Sequence, residues 1–230
     1  MAWVAPIPMN TGKRRMTTDA HILTLAQWFS PSYPLGSFAY SHGLETAIVA
    51  GQIDSAASLR DWLRDVLAHG SGRNDCILLR AAHRCDSLEA VMQIDAHARA
   101  FASTAERLAE TLVQGGAFAR TTAAIWGGEM PDVTHPVAVG YAARQMDMPL
   151  ELTVQLYLLA FASNLVSAAV RLVPLGQTEG QGCLAALTPL CTEIAAETKG
   201  AGLDDLASTA FLSDIAAMRH ETLQHRIFRS

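Results

Sequence analysis

Two places in the chain concentrate side chains capable of chemistry. Tyr40, Ser41, His42 and Glu45 fall within two turns of one another around Gly43, in the stretch GSFAYSHGLETA at 36–47. Arg219, His220 and Glu221 lie near the other end, followed by His225, Arg226, Phe228 and Arg229. Neighbouring His and Glu residues are the raw material of general acid–base work or of a metal site. A small helical metal-dependent hydrolase using His42/Glu45 or His220/Glu221 is therefore one reading. The spacing does not favour it. A helical zinc motif needs histidines four apart, whereas five residues separate His220 from His225, about 140° round a helix. Cys76, Cys85, Cys183 and Cys191 form no CxxC pair, and their spacings suit buried apolar positions. The chain has no GxxxxGK[ST] phosphate loop and no GxSxG nucleophile elbow. The residue types thus suggest specific contacts without an assembled reaction centre. We expect no enzyme activity, no cofactor and no resident metal.

A third polar set is of a different kind. From Leu152 to Val170 no residue carries a formal charge, and the run ends at Arg171. Read as a helix over 151–173, it is stopped by Pro174 and Gly176. Ser163, Asn164, Ser167 and Arg171 then share one stripe roughly 100° wide on an otherwise apolar cylinder. Such a helix is the covered centre of a helical domain or a membrane span. Its polar residues and the lack of an aromatic belt at both ends favour the core, so no membrane is expected. The stripe either borders a wet polar passage or braces a neighbouring loop. The plainer alternative is that Arg171 merely caps backbone carbonyls.

The elements that must position these residues are helices. The 230 residues are half hydrophobic, enough for one large domain. Alanine abounds, and Val, Ile and Thr do not alternate in strand-like runs. The net charge of −5 argues against a nucleic-acid binder. Four cysteines and no secretion signal suggest reduced thiols in the cytoplasm. Residues 1–18 read as a disordered extension.

Helices are expected at 19–29, then at 38–50 with Ser37 as N-cap, after the turned loop Ser30-Pro31-Ser32-Tyr33-Pro34-Leu35-Gly36. Gly43 inside the second helix suggests close approach of another backbone or a partner. An amphipathic helix opens at Asp54 or Ser55 and presents Leu59, Trp62, Leu63, Val66 and Leu67 on one face, with further helices at 74–84 and 88–100. The next starts at Ser103 or Thr104, turns Leu108, Leu112 and Val113 inward, and marks a bend or close contact at Gly115-Gly116. A loop at 126–136 precedes a short helix at 137–146 and the apolar helix. Helices at 179–199, kinked by Pro189, and at 214–224, capped by Ser213, complete the set. The expectation is an all-α single domain of nine to ten helices, spanning 19–224, around a long central apolar helix. The segment 225–230 forms a tail. Ile227 and Phe228 have little use for water, so the tail should dock on this protein or on a partner.

Three long segments carry a likeness to a known family. SPSYPLGSFAYSHGLETA at 30–47, NLVSAAVRLVPLGQTEGQ at 164–181 and DIAAMRHETLQHRIFRS at 214–230 together resemble the urease accessory protein UreF family, in the family's order. Weaker support comes from 102–118 and 135–143, so the likeness runs from about residue 19 to the end. The resemblance implies an all-α, cytoplasmic, non-enzymatic chaperone of urease maturation that forms a homodimer. It implies binding to UreD (UreH in some organisms), recruitment of the GTPase UreG, and nickel insertion into apo-urease (UreABC). It also implies a tail that becomes ordered on UreD. By position it points to Phe38, Tyr40, Ser41, His42, Glu45, Arg219, His220, Glu221, Arg226, Phe228 and Arg229 as partner-binding residues. Phe228 would be the anchor, with Arg226 and Arg229 supplying charge-assisted contacts.

Overall fold

The computed structural model describes residues 17–230, so the reading of the first sixteen residues as disordered lies outside it. Among the described residues there are ten α-helices and no strand. They are α1 (Asp19–Trp28), α2 (Leu44–Val49), α3 (Ala56–His69), α4 (Ser71–Arg84), α5 (Leu88–Ala100), α6 (Ala105–Trp126), α7 (His135–Gln145), α8 (Leu150–Leu172), α9 (Gln177–Glu197) and α10 (Phe211–His220). Short 3-10 turns occupy Ser37–Ala39, Thr198–Gly200 and Leu203–Asp205. The starts follow local chemistry. Thr18, Ser55, Ser87 and Thr104 each accept a backbone N–H of the first turn, satisfying a donor that the helix leaves free.

The all-α domain is built as two packed pairs joined through α4. The α8 helix lies along α9, and α4 lies along α7, while α4 and α3 also touch α8. Aromatic edges lock α1 to α6: Trp28 meets Phe118 at 5.2 Å and Trp126 at 6.0 Å, both edge-on. Arg80 crosses the middle, 1% exposed. It forks onto both oxygens of Glu151 at 3.0 and 2.9 Å and donates to the Ala195 carbonyl at 2.6 Å, tying α4, α8 and α9 with charge-assisted bonds.

Several local expectations change. The helix expected at 38–50 is broken into a 3-10 turn and α2, because His42 and Gly43 both take left-handed backbone (φ 58° and 76°) that no helix interior accepts. Ser213 lies within α10, which begins at Phe211 and ends at His220. Pro189 lies within α9, which begins at Gln177, two residues earlier than expected, and Glu179 accepts the Gly176 N–H at 2.8 Å. The α8 helix is long and apolar enough to cross a membrane by length and composition, and half of that window is buried against this chain. Its cover is therefore less complete than all-round apolarity suggests: Ala160, Phe161, Ser163, Asn164, Ser167 and Val170 face a cavity. On α6 the inward face is not Leu108, Leu112 and Val113. Val113 is 50% exposed, and the buried residues include Glu110, Gln114, Phe118 and Thr122.

Candidate functional site

The broken helix is what builds the site. Gly43 packs directly on the backbone of α10: a Cβ there would meet the Ala217 nitrogen at 2.6 Å. That contact seats the start of α2 against α10 and turns Tyr40, Ser41, His42 and Glu45 into the protein, each no more than 5% exposed. Phe38, one turn earlier, points out at 68% exposure.

The C-terminal segment lies across these residues. The Glu45 carboxylate accepts the backbone N–H of Ile227 at 2.7 Å and of Phe228 at 2.9 Å. Arg229 donates its N–H to the Ala39 carbonyl at 2.8 Å, and the Ser41 N–H and hydroxyl both donate to the Ser230 main-chain oxygen. His220, fully buried, presents Nε2 to Glu45 at 3.2 Å and Nδ1 to Glu106 at 2.6 Å. Arg226 pairs with the other oxygen of Glu106. Glu221 accepts the Ala105 N–H at 2.9 Å, capping α6. The structure thus gathers Ser41, His42, Glu45, His220, Arg226 and Phe228 at one fastened segment, with Tyr40 buried beside Ser41 and Glu221 turned to the start of α6. Arg219, Ile227 and Arg229 remain on its outer side.

Phe228 is placed differently from an outward anchor. It is 3% exposed, with the Arg171 guanidinium over its ring at 4.5 Å from the centroid. Arg171 also donates to the Phe38 carbonyl at 2.8 Å and to the Ser167 carbonyl at 3.2 Å. Asn164 donates to the Ser37 carbonyl at 3.0 Å. The stripe on α8 therefore holds the Ser37–Ala39 turn, and through Arg171 it reaches the tail.

Beneath that turn lies a cavity of about 330 Å³, with Ser163, Asn164 and Ser167 along its wall. Its polar lining includes Asp75, Arg107, Glu110, His135 and Tyr157. Arg107 pairs with Glu110 at 2.5 Å, and Tyr157 donates to Asp75 at 2.7 Å. Burial pushes the Asp75 carboxyl up to about 6, against the pull of Arg107 and the Tyr157 hydrogen bond. Burial, with Arg107 nearby, pulls His135 down to about 3. Its Nε2 has no hydrogen-bond partner. Burial opposes the charge on Arg107, yet Glu110 and Asp75 hold its pKa above the ordinary value. Sequence reasoning missed this set. Its signal was present as Arg107, Glu110 and Gln114 at helical spacing on α6, masked by the apolar residues beside them.

The nearest approach to a catalytic geometry is Ser71 Oγ and His42 Nε2, 2.7 Å apart. A nucleophile and base also need a group that orients the base. Here His42 Nδ1 is buried without a partner, and burial keeps this histidine well below its ordinary pKa. Among the described residues no three His, Cys, Asp or Glu side chains are grouped to hold a metal ion.

Fold and site together define an all-α protein whose buried polar groups fasten a C-terminal segment to an early loop, over a polar cavity. The profile of the UreF family matches residues 53–188. A urease accessory protein UreF of Roseobacter denitrificans is 53% identical over 222 residues, covering 96% of this chain and 99% of the relative. Those of Ruegeria pomeroyi (52% identical; 93% and 98% covered) and Cereibacter sphaeroides (56%; 92% and 100%) are similarly close. The chain belongs to the UreF family.

Proposed function

We propose that this protein is a non-enzymatic accessory chaperone in urease maturation. It acts in the cytoplasm as a homodimer, binds UreD (UreH), recruits UreG and promotes nickel insertion into apo-urease (UreABC). The observation that carries this reading is the end-to-end likeness, at more than half identity, to relatives named urease accessory protein UreF. The geometry supports a binding role. His220, Glu45 and Glu106 are engaged in holding the chain to itself, so the clustered charged groups are committed to structure and contact.

On this reading the fastened tail and the loop beneath it present the surface for UreD. Ile227, 71% exposed, the outward Arg229 and the half-exposed Arg226, which pairs with Glu106, meet the partner, while Phe228 secures the segment from below. The polar wall of α8 serves as one side of a wet internal passage and braces the rim of the cavity. Co-purification from cells expressing the urease operon tests the proposal. A tagged chain should bring down UreD and UreG, and the isolated chain should turn over no substrate. A chain that retains neither protein, or that hydrolyses a substrate unaided, would sink it.

A further inference from the structure

The cavity under the Ser37–Ala39 turn holds two acceptors that the chain itself leaves unused. Tyr157 donates to Asp75 Oδ2, and among the described residues nothing donates to Oδ1. His135 Nε2 is buried with no partner. A neutral imidazole has one acceptor nitrogen, and in the Nδ1–H tautomer it is Nε2. With its pKa pulled to about 3, His135 stays neutral near pH 7. Both side chains attach to Tyr157: its hydroxyl holds Asp75, and its ring lies 5.3 Å from the imidazole.

The charge on the lining has a sign. Asp75 and Glu110 are anionic and Arg107 is cationic, so one negative charge is in excess when all three are ionised. Arg107 is closed by Glu110, which leaves no unpaired cation to receive an anion. Much of the remaining wall is apolar or aromatic, with Phe29, Leu35, Phe161 and Val170 upon it. The exposed Pro31, Gln177 and Gln181 mark where the cavity meets solvent. Its volume, about 330 Å³, is that of a small-molecule site.

We propose that this cavity binds a small organic monocation: a primary ammonium donating to Asp75 Oδ1 and His135 Nε2, on an apolar body that lies against Phe29, Phe161 and Val170. An ammonium brings three donors and needs a carboxylate to offset its desolvation, and aromatic rings nearby add attraction for the charge. Two unused acceptors are too few for a metal ion, and among the described residues no three ligands are grouped to hold one. The inference goes beyond the maturation role and does not depend on it.

Saturation-transfer NMR titration of the purified full-length protein tests it, at about pH 7.5 where Asp75 is ionised and with a chelator present. The probe is 2-phenylethylammonium, compared with the uncharged 2-phenylethanol and the anionic 3-phenylpropanoate. The amine should bind at least tenfold more tightly than either. Asp75→Asn keeps the shape without the charge and should weaken amine binding about tenfold. Ser163→Phe puts a ring into the cavity, leaves Asp75 untouched, and should abolish amine binding, with circular dichroism confirming that each variant keeps its helices. An amine that binds no better than the alcohol or the acid would overturn the proposal, as would no binding by any of the three. So would unchanged amine affinity in folded Asp75→Asn or folded Ser163→Phe. None of these outcomes bears on co-purification with UreD and UreG, so the two readings fail separately.

Discussion

The Glu45 carboxylate accepts the backbone N–H of Phe228 at 2.9 Å, across 183 residues of chain. Its other oxygen takes the N–H of Ile227, and His220 stands against it from α10. One side chain from the first turn of α2 thus satisfies donors that a docked tail would otherwise bury unpaired. Glu45→Ala should lower folding stability by about 2–4 kcal/mol, as expected when a buried charged hydrogen-bond partner is removed. It should also speed amide exchange at Ile227 and Phe228. Denaturant unfolding and hydrogen-exchange mass spectrometry check the two effects separately.

The Arg171–Phe228 contact is a coupling that can be measured. Arg171 is exposed, so the pair should contribute only about 0.5–1 kcal/mol, the range for a solvated cation over a ring. A double-mutant cycle with Arg171→Met and Phe228→Ala should return that coupling energy. Phe228→Ala alone should cost more, about 3–4 kcal/mol, because it also empties a buried site.

Gly43 combines two demands, a positive φ and contact with the backbone of α10. Gly43→Ala should cost about 2–4 kcal/mol, from left-handed strain together with the steric clash. The more informative result is where the damage falls. Exchange should accelerate in α2, α10 and the tail, and the α4–α7 pair should stay protected.

Asp75 predicts a pH dependence. Its folded pKa, about 6, lies above the unfolded 3.8, so the folded state binds the extra proton between those values. Stability from this group is full below about 3.8 and is lost as pH rises through about 6. Asp75→Asn keeps an acceptor for the Tyr157 hydroxyl and cannot ionise. Its stability relative to the parent should rise between pH 4 and 7 by up to about 3 kcal/mol, then level off. His135 acts with the opposite sign. Its folded pKa of about 3 means that stability is lost as pH falls from 6.5 towards 3. Unfolding midpoints across pH 4–8 for the parent, Asp75→Asn and His135→Gln separate the two.

Much of the scaffold was readable because it follows local rules. Thr18, Ser55, Ser87 and Thr104 cap the helices they precede, and the buried stripe Leu59, Leu63, Val66 and Leu67 is the apolar period of α3. Reading failed where tertiary contact overrode local preference. Gly43 signalled a close approach, but nothing local says that the backbone it meets is that of Ala217, or that His42 and Gly43 turn left-handed and break the expected helix. On α6 the apolar residues Leu108, Leu112 and Val113 outvoted the polar ones, yet Glu110 and Gln114 face inward because a cavity and the tail are there to receive them. Such conflicts between local pattern and fold gather at functional sites. The two charged clusters were visible as clusters. That Glu45, His220 and Phe228 meet was not, since no spacing rule links residues so far apart.

The central claim is that the fastened tail, over its early loop, presents the surface for UreD. Co-expression with UreD of the full chain and of a chain lacking residues 225–230 tests it most directly, with size-exclusion and circular dichroism confirming that both fold. The full chain should retain UreD, and the shortened one should remain helical and dimeric yet lose it. A folded, shortened chain that still carries UreD at full stoichiometry would contradict the account.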